Sequence, residues 1–234
     1  MRRPCLGILG GMSWHSTAMY YETINRNYSK LAPSQSNPHL ILDSLVFSDL
    51  LAMFKDKSIE QFLLKRGRIL ERSGADLLVI ASNTVHYCYD YLTKALNLEI
   101  LHIADAIANH AEKLGIKKAL LLGTRYTMQM DFYIDRLQNQ AQLQVIIPEY
   151  QQIKEIDQII SNELTRGVIR ASSAQVYQDI IAKHADEGAQ AVILACTEIG
   201  LLIKQADIDI PLIDSTIVHC DAAVAWLQKT CITN

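Results

Sequence analysis

Two apolar runs in this 234-residue chain end in side chains able to move a proton. "GADLLVIASNT" (Gly74 to Thr84) delivers Ser82, Asn83 and Thr84; "GAQAVILACTE" (Gly188 to Glu198) delivers Cys196, Thr197 and Glu198. A free cysteine most often packs as a small hydrophobe. Cys196 is set apart by its place, at the end of an apolar strand and just before a helix start. Free N–H groups and the helix dipole favour the reactive thiolate there. Cys5, Cys88, Cys220 and Cys231 lack that setting and read as packing residues. Ser82, Asn83 and Thr84 read as a cap and turn, and a cap beside a cleft also offers N–H groups to a carboxylate.

The two stretches match without a gap. Gly-Ala lies over Gly-Ala, Ala81 over Ala195, and Ser82 over Cys196, an offset of 114 residues. "ILGGMSWHST" from Ile8 lies against "LLGTRYTMQM" from Leu121 and pairs Gly10 with Gly123 at an offset of 113. Two places agreeing this closely point to a duplicated α/β lobe.

The elements that must position these residues follow from the hydrophobic pattern. "CLGIL", "LILDSLVF", "DLLVIA", "EILHI", "KALLLG", "QVIIP", "AVILA" and "PLID" read as strands, short and continuous as in sheets buried on both faces. Helical spacing lies between most of them: Ile59, Phe62, Leu63, Ile69 and Leu70, with Ser58 and Gln61 in a capping-box pattern. It recurs at Ile153, Ile156, Ile160 and Leu164, at Val176, Ile180 and Ile181, and at Ile217, Val218, Ala222 and Ala225. The alternation means an α/β fold of mainly parallel strands with right-handed crossovers. Two pseudo-symmetric lobes are expected, one over residues 1–103 plus 211–234 and one over 104–210. Ligands of parallel sheets sit beyond the carboxyl ends of the strands. Facing lobes would bring Ser82 and Cys196 to opposite faces of one ligand, with Gly10–Gly11 and Gly123–Thr124 as matching loops.

Composition narrows the partners. Half of the chain is apolar, a fifth is charged, and the formal net charge is -3 with no basic stripe, which argues against nucleic acid. The apolar runs are too short to cross a bilayer, and the start lacks an A-x-A-like cleavage site, so a cytoplasmic protein is expected. Five cysteines without a C-x-x-C pair argue against a disulfide framework or zinc. The seven histidines form no ligand spacing, and no metal is expected. "GILGGMS" lacks the full dinucleotide-binding pattern and reads as a close backbone turn.

"GGMSWHST" at 10–17, "SNTVH" at 82–86, "GTRYTM" at 123–128 and "CTEIG" at 196–200 resemble the four signature regions of the aspartate/glutamate racemases. The resemblance covers essentially the whole chain, in order. It implies two pseudo-symmetric lobes, no pyridoxal phosphate, no metal and usually a homodimer. It also implies racemisation of an acidic amino acid, aspartate or glutamate, by two acid/base groups on opposite faces of the α carbon. Cys196 and Ser82 take the catalytic positions. Asn83, Thr84, Thr124, Thr127 and Thr197 are donors for the substrate carboxylate, Met12 and Ser13 close the pocket floor, and Glu198 is placed with the substrate-binding set. Arg166, in "NELTRGVI", stands where related aspartate racemases carry a basic residue, and its guanidinium would grip the side-chain carboxylate. Lys55 and Arg125 are weaker alternatives.

The chain departs from the family at one position. The usual pair is two cysteines, and here the first is Ser82, a far weaker base than a thiol. Ser82 passes protons with help from a neighbour such as His86, giving slow or direction-biased racemisation; or Cys196 works alone, as in a single-cysteine lyase or isomerase acting on a dicarboxylate; or the cleft only binds an acidic amino acid. The first reading ranks highest.

Overall fold

Strands and helices alternate along the chain in the computed structural model, which describes residues 3–31, 36–56 and 58–233. The first half runs β1 (Cys5–Gly10), α1 (Trp14–Leu31), β2 (His39–Ser44), α2 (Phe47–Asp56), α3 (Ile59–Arg72), β3 (Leu77–Ile80), α4 (Tyr89–Ala95) and β4 (Glu99–Leu101). The second runs α5 (Ile103–Lys113), β5 (Lys118–Gly123), α6 (Arg125–Gln129), α7 (Asp131–Ala141), β6 (Gln144–Ile146), α8 (Tyr150–Asn162), α9 (Ala171–Asp186), β7 (Ala191–Ala195), α10 (Ile199–Leu202), β8 (Leu212–Asp214) and α11 (Ser215–Thr233).

All eight expected strands form, in two four-stranded parallel sheets of the same order, β2-β1-β3-β4 and β6-β5-β7-β8. The fold is therefore α/β with two repeated lobes. β3 and β7 are interior strands buried along their whole length, which is why their sequences are uninterrupted apolar runs. β2 lies at a sheet edge and is partly exposed.

Successive side chains of the first sheet point to opposite faces. Leu9, Leu78 and Ile80 pack with Leu50, Ile59, Leu63 and Leu70, while Leu6, Ile8, Leu77 and Val79 pack with Tyr20 and Ile24. Each such fully buried aliphatic side chain contributes roughly 2 kcal/mol. The second face is closed by Cys220, Ala223, Val224 and Leu227 of α11, although α11 follows the last strand of the other sheet. Conversely α5, which follows β4, packs against α7 and β8. Contacts accordingly group residues 1–102 with 219–234, and 103–218 by themselves. The sequence reading put the return at 211; β8 pairs with β7, so the crossing falls inside α11.

The Ser58–Gln61 capping box does not form. Ser58 precedes α3, but with φ -89° and ψ -1° its side chain makes no cap hydrogen bond. A capping side chain needs an extended backbone at that residue.

Candidate active site

The loop after β1 is fixed by a glycine and a threonine. Gly11 has φ +87°, and a Cβ there would overlap the backbone of Leu45. The Gly11 N–H donates to Thr17 Oγ1 at 2.7 Å, and the Thr17 hydroxyl donates to the Ser13 carbonyl at 2.9 Å. Thr17 thus clamps the loop that buries Met12 and Ser13. Sequence reasoning did not single it out, although it lies inside the "GGMSWHST" segment.

β3 delivers Ser82 and Asn83, both buried, and half-buried Thr84 opens a 3-10 turn over Thr84–Cys88. The Ser82 N–H donates to the Ile80 carbonyl at 2.9 Å, and no described residue hydrogen-bonds its hydroxyl. His86 does not reach that hydroxyl as a helper. Its Nδ1 lies 2.7 Å from the Ser82 carbonyl oxygen. A carbonyl only accepts, so Nδ1 carries the proton, and His86 holds the backbone of Ser82.

Behind His86 stand two more buried imidazoles, so three histidines far apart in sequence do assemble. The ring centroids of His102 and His219 lie 4.7 and 5.6 Å from that of His86. His219 Nε2 is 3.2 Å from the Leu101 carbonyl and Nδ1 is 2.8 Å from the Tyr20 hydroxyl. Nε2 therefore donates, and Tyr20 donates to Nδ1. Burial first, and then His86, bring the His219 pKa down to about 3, so its imidazole is neutral. No group of three or more His, Cys, Asp or Glu side chains among the described residues is placed to hold a metal ion.

The second sheet repeats the backbone plan. A Cβ on Gly123 would lie 2.8 Å from the Ala195 carbonyl oxygen and 3.3 Å from Thr127 Cβ, much as one on Gly10 would run into Thr17. Thr124 caps α6: its hydroxyl oxygen accepts from the Thr127 N–H at 3.3 Å and lies 3.0 Å from Thr127 Oγ1. β7 then delivers Cys196, Thr197 and Glu198, all buried. The Cys196 thiol donates to Glu198 Oε2 at 3.2 Å, and the Thr197 hydroxyl donates to the same oxygen at 2.6 Å. Burial, and then the Glu198 carboxylate, push the Cys196 thiol pKa up. The backbone N–H groups of Glu198 and Ile199 pull it down, as expected of a helix start, but burial and the carboxylate outweigh them. α10 is only four residues long, and an anionic side chain lies closer than its dipole.

Gly200 lets α10 pass the Asp214 carboxylate, which a Cβ would strike. Asp214 accepts from the N–H groups of Thr216 at 2.8 Å and Ile217 at 3.3 Å, capping α11, and its burial raises its pKa. Arg166 is exposed on a 3-10 turn, Leu164–Arg166, that packs against α10. Arg125 is also exposed, and its N–H donates to Asp157 at 2.8 Å. The side chain of Lys55 lies outside the described residues.

Residues 9–223 match the Asp/Glu/Hydantoin racemase family model. The chain is 27% identical over 221 residues to the broad specificity amino-acid racemase RacX of Bacillus subtilis (strain 168), covering 90% of this chain and 92% of that protein. A crystal structure from Yersinia pestis, assigned to the Asp/Glu racemases, superposes with a TM-score of 0.90 at 35% identity, over 96% of this chain and 99% of that one. An aspartate racemase homologue from Pyrococcus horikoshii OT3 gives 0.84 at 31% identity, over 97% and 100%. No helix among the described residues is long and apolar enough to cross a membrane.

Proposed function

The chain belongs to the Asp/Glu/hydantoin racemase family, and we propose that it racemises aspartate or glutamate by passing the α proton between Cys196 and Ser82. The observation that carries this reading is positional. Ser82 and Cys196 follow the third strands of two sheets with the same strand order, at the carboxyl ends where parallel sheets bind ligands.

Inverting an α carbon requires removing a proton from one face and returning one to the other, which two separate groups accomplish. Cys196 removes or returns the proton on one face, and Ser82 serves the other. The negative charge that develops on the substrate carboxylate is met by oriented donors, for which Asn83, Thr84, Thr124 and Thr127 are the candidates, while the Thr197 hydroxyl gives its proton to Glu198. Met12 and Ser13 form the pocket floor, and Arg166 takes the side-chain carboxylate. The family resemblance implies no pyridoxal phosphate, no metal and usually a homodimer, and the short apolar runs of the sequence support a cytoplasmic location.

The oxygen at residue 82 makes the enzyme direction-biased within a firm limit. Free enantiomers have equal energy, so kcat/KM must be the same in both directions. Bias therefore enters as unequal kcat values compensated by unequal KM values, and as exchange without inversion on the Cys196 side. The test is to incubate both enantiomers of aspartate and of glutamate with the protein in D2O and follow the α proton by NMR. The expected result is exchange with at least one of the two amino acids, faster than inversion for one enantiomer. Absence of exchange from all four at high protein concentration overturns the reading. Neutral amino acids belong alongside, because the Bacillus subtilis relative is named a broad specificity racemase.

A further inference from the structure

Glu198 is buried directly beside the sulfur expected to do the chemistry. Its Oε2 accepts from Cys196 Sγ at 3.2 Å and from Thr197 Oγ1 at 2.6 Å. An ionised carboxylate has only acceptors and carries the same charge as the substrate's own carboxylates. It is badly suited to bind them and well suited to take a proton from a thiol. We propose that Glu198 is the proton acceptor that turns Cys196 into a base, and so a catalytic residue of the racemase reaction proposed above, on which this inference rests.

The step balances as a proton transfer. The S–H bond of Cys196 breaks, sulfur keeps the electron pair, and the proton forms an O–H bond on Glu198. The thiolate then removes the α proton: the C–H bond breaks, a new S–H bond forms, and the pair left behind delocalises into the substrate carboxylate. Ser82 gives its hydroxyl proton to the opposite face. Water returns a proton to Ser82 as Glu198 releases one, and every group is back in its starting state.

Thr197 keeps the carboxylate oriented through this cycle. Its hydroxyl donates to the oxygen that receives the thiol proton, so the acceptor cannot swing away from sulfur without losing a short hydrogen bond. The buried thiol, with its raised pKa, is the group that needs such an acceptor. Ser82 has no equivalent: among the described residues nothing hydrogen-bonds its hydroxyl, and the nearby His86 is turned to its carbonyl. Among the described residues, a carboxylate hydrogen-bonded to the reacting side chain stands on the Cys196 side only.

Glu198→Gln in the full chain tests the role, because glutamine keeps the shape and an acceptor oxygen but takes up no proton. Two measurements are made: α-proton exchange in D2O, and the pH dependence of Cys196 alkylation by iodoacetamide, read on the Cys196 peptide by mass spectrometry. With the carboxylate charge gone, the alkylation midpoint should fall by about one pH unit. Exchange should nevertheless slow by about 100-fold. A merely structural residue would not make the thiol easier to ionise while making the enzyme slower. An unchanged midpoint, or exchange within about threefold of the parent protein, overturns the proposal.

Glu198→Asp serves if the glutamine variant is unstable. It should exchange at least about ten times faster than Glu198→Gln or, where that variant does not fold, than Cys196→Ala; parity overturns the role. If the parent protein exchanges no amino acid, the racemase reading fails, and the alkylation midpoint still decides whether Glu198 controls the Cys196 proton.

Discussion

The carboxyl ends of β3 and β7 hold the same place in two sheets of the same order, and they differ in what surrounds the terminal side chain. At β3 the Ser82 hydroxyl has no hydrogen-bonding partner among the described residues, and His86, His102, His219 and Tyr20 gather behind it. At β7 the Cys196 thiol rests on a carboxylate held by a neighbouring hydroxyl. The backbone devices are shared: each sheet has a glycine at the end of its first strand in sequence, packed against a threonine on the next helix. Duplication has kept the geometry that delivers the side chains and let the electrostatics part company. Equivalent position gives equivalent reach, and the neighbouring groups decide what can be done with it.

The largest break in the comparison comes from removing the sulfur. Cys196→Ala should lower α-proton exchange by about 1000-fold, measured by NMR in D2O; a protein that still exchanges near the parent rate would shift the chemistry to the β3 side.

Acid should separate the two units next. His219 has a folded pKa of about 3 against an ordinary 6.5, so between those values the unfolded chain takes up a proton that the folded one refuses. The stabilisation is complete above about pH 6.5 and disappears as the pH falls toward 3, an effect of about 5 kcal/mol. Hydrogen exchange at pH 4 should show α1 and the His219-bearing part of α11 losing protection before α8 and α9. Equal loss in both units would refute the assignment.

Gly11→Ala should cost about 2 kcal/mol, from a left-handed backbone and the overlap with Leu45. Gly123→Ala should cost less: the added methyl meets the Ala195 carbonyl oxygen at 2.8 Å without a left-handed φ. Urea denaturation of the two variants measures the difference, and the reverse order would overturn the strain assigned to Gly11.

The smallest expected change restores symmetry. Ser82→Cys should bring the two kcat values closer together by about tenfold in steady-state assays from each enantiomer, since a thiol is the better base. An unchanged ratio would remove Ser82 from the proton path.

Much of this was legible in the residues. Strands buried on both faces must be written as apolar runs, and the nearly equal offsets of Ser82/Cys196 and Gly10/Gly123 expose the repeat from the residues alone. The histidine group was not legible, because positions 86, 102 and 219 meet only through the packing of β4 and α11. The Cys196–Glu198 hydrogen bond was hidden for a different reason. Residues two apart do not face each other on a helix, and only the turn after β7 brings sulfur and carboxylate together. Nor did α11 announce its crossing, since residues packed on one unit follow directly upon residues packed on the other.

That crossing bears on how the molecule is made. Leu6, Ile8 and Val79 emerge early from the ribosome, but Cys220, Ala223, Val224 and Leu227, which pack against them, emerge only after the whole second sheet. The first sheet must therefore wait with one face covered only by Tyr20 and Ile24 of α1 while its counterpart is synthesised. A truncation before α11 would remove part of the core of the oldest strands rather than trim the newest. Folding of this duplicated protein is completed backwards, the last helix closing the first sheet.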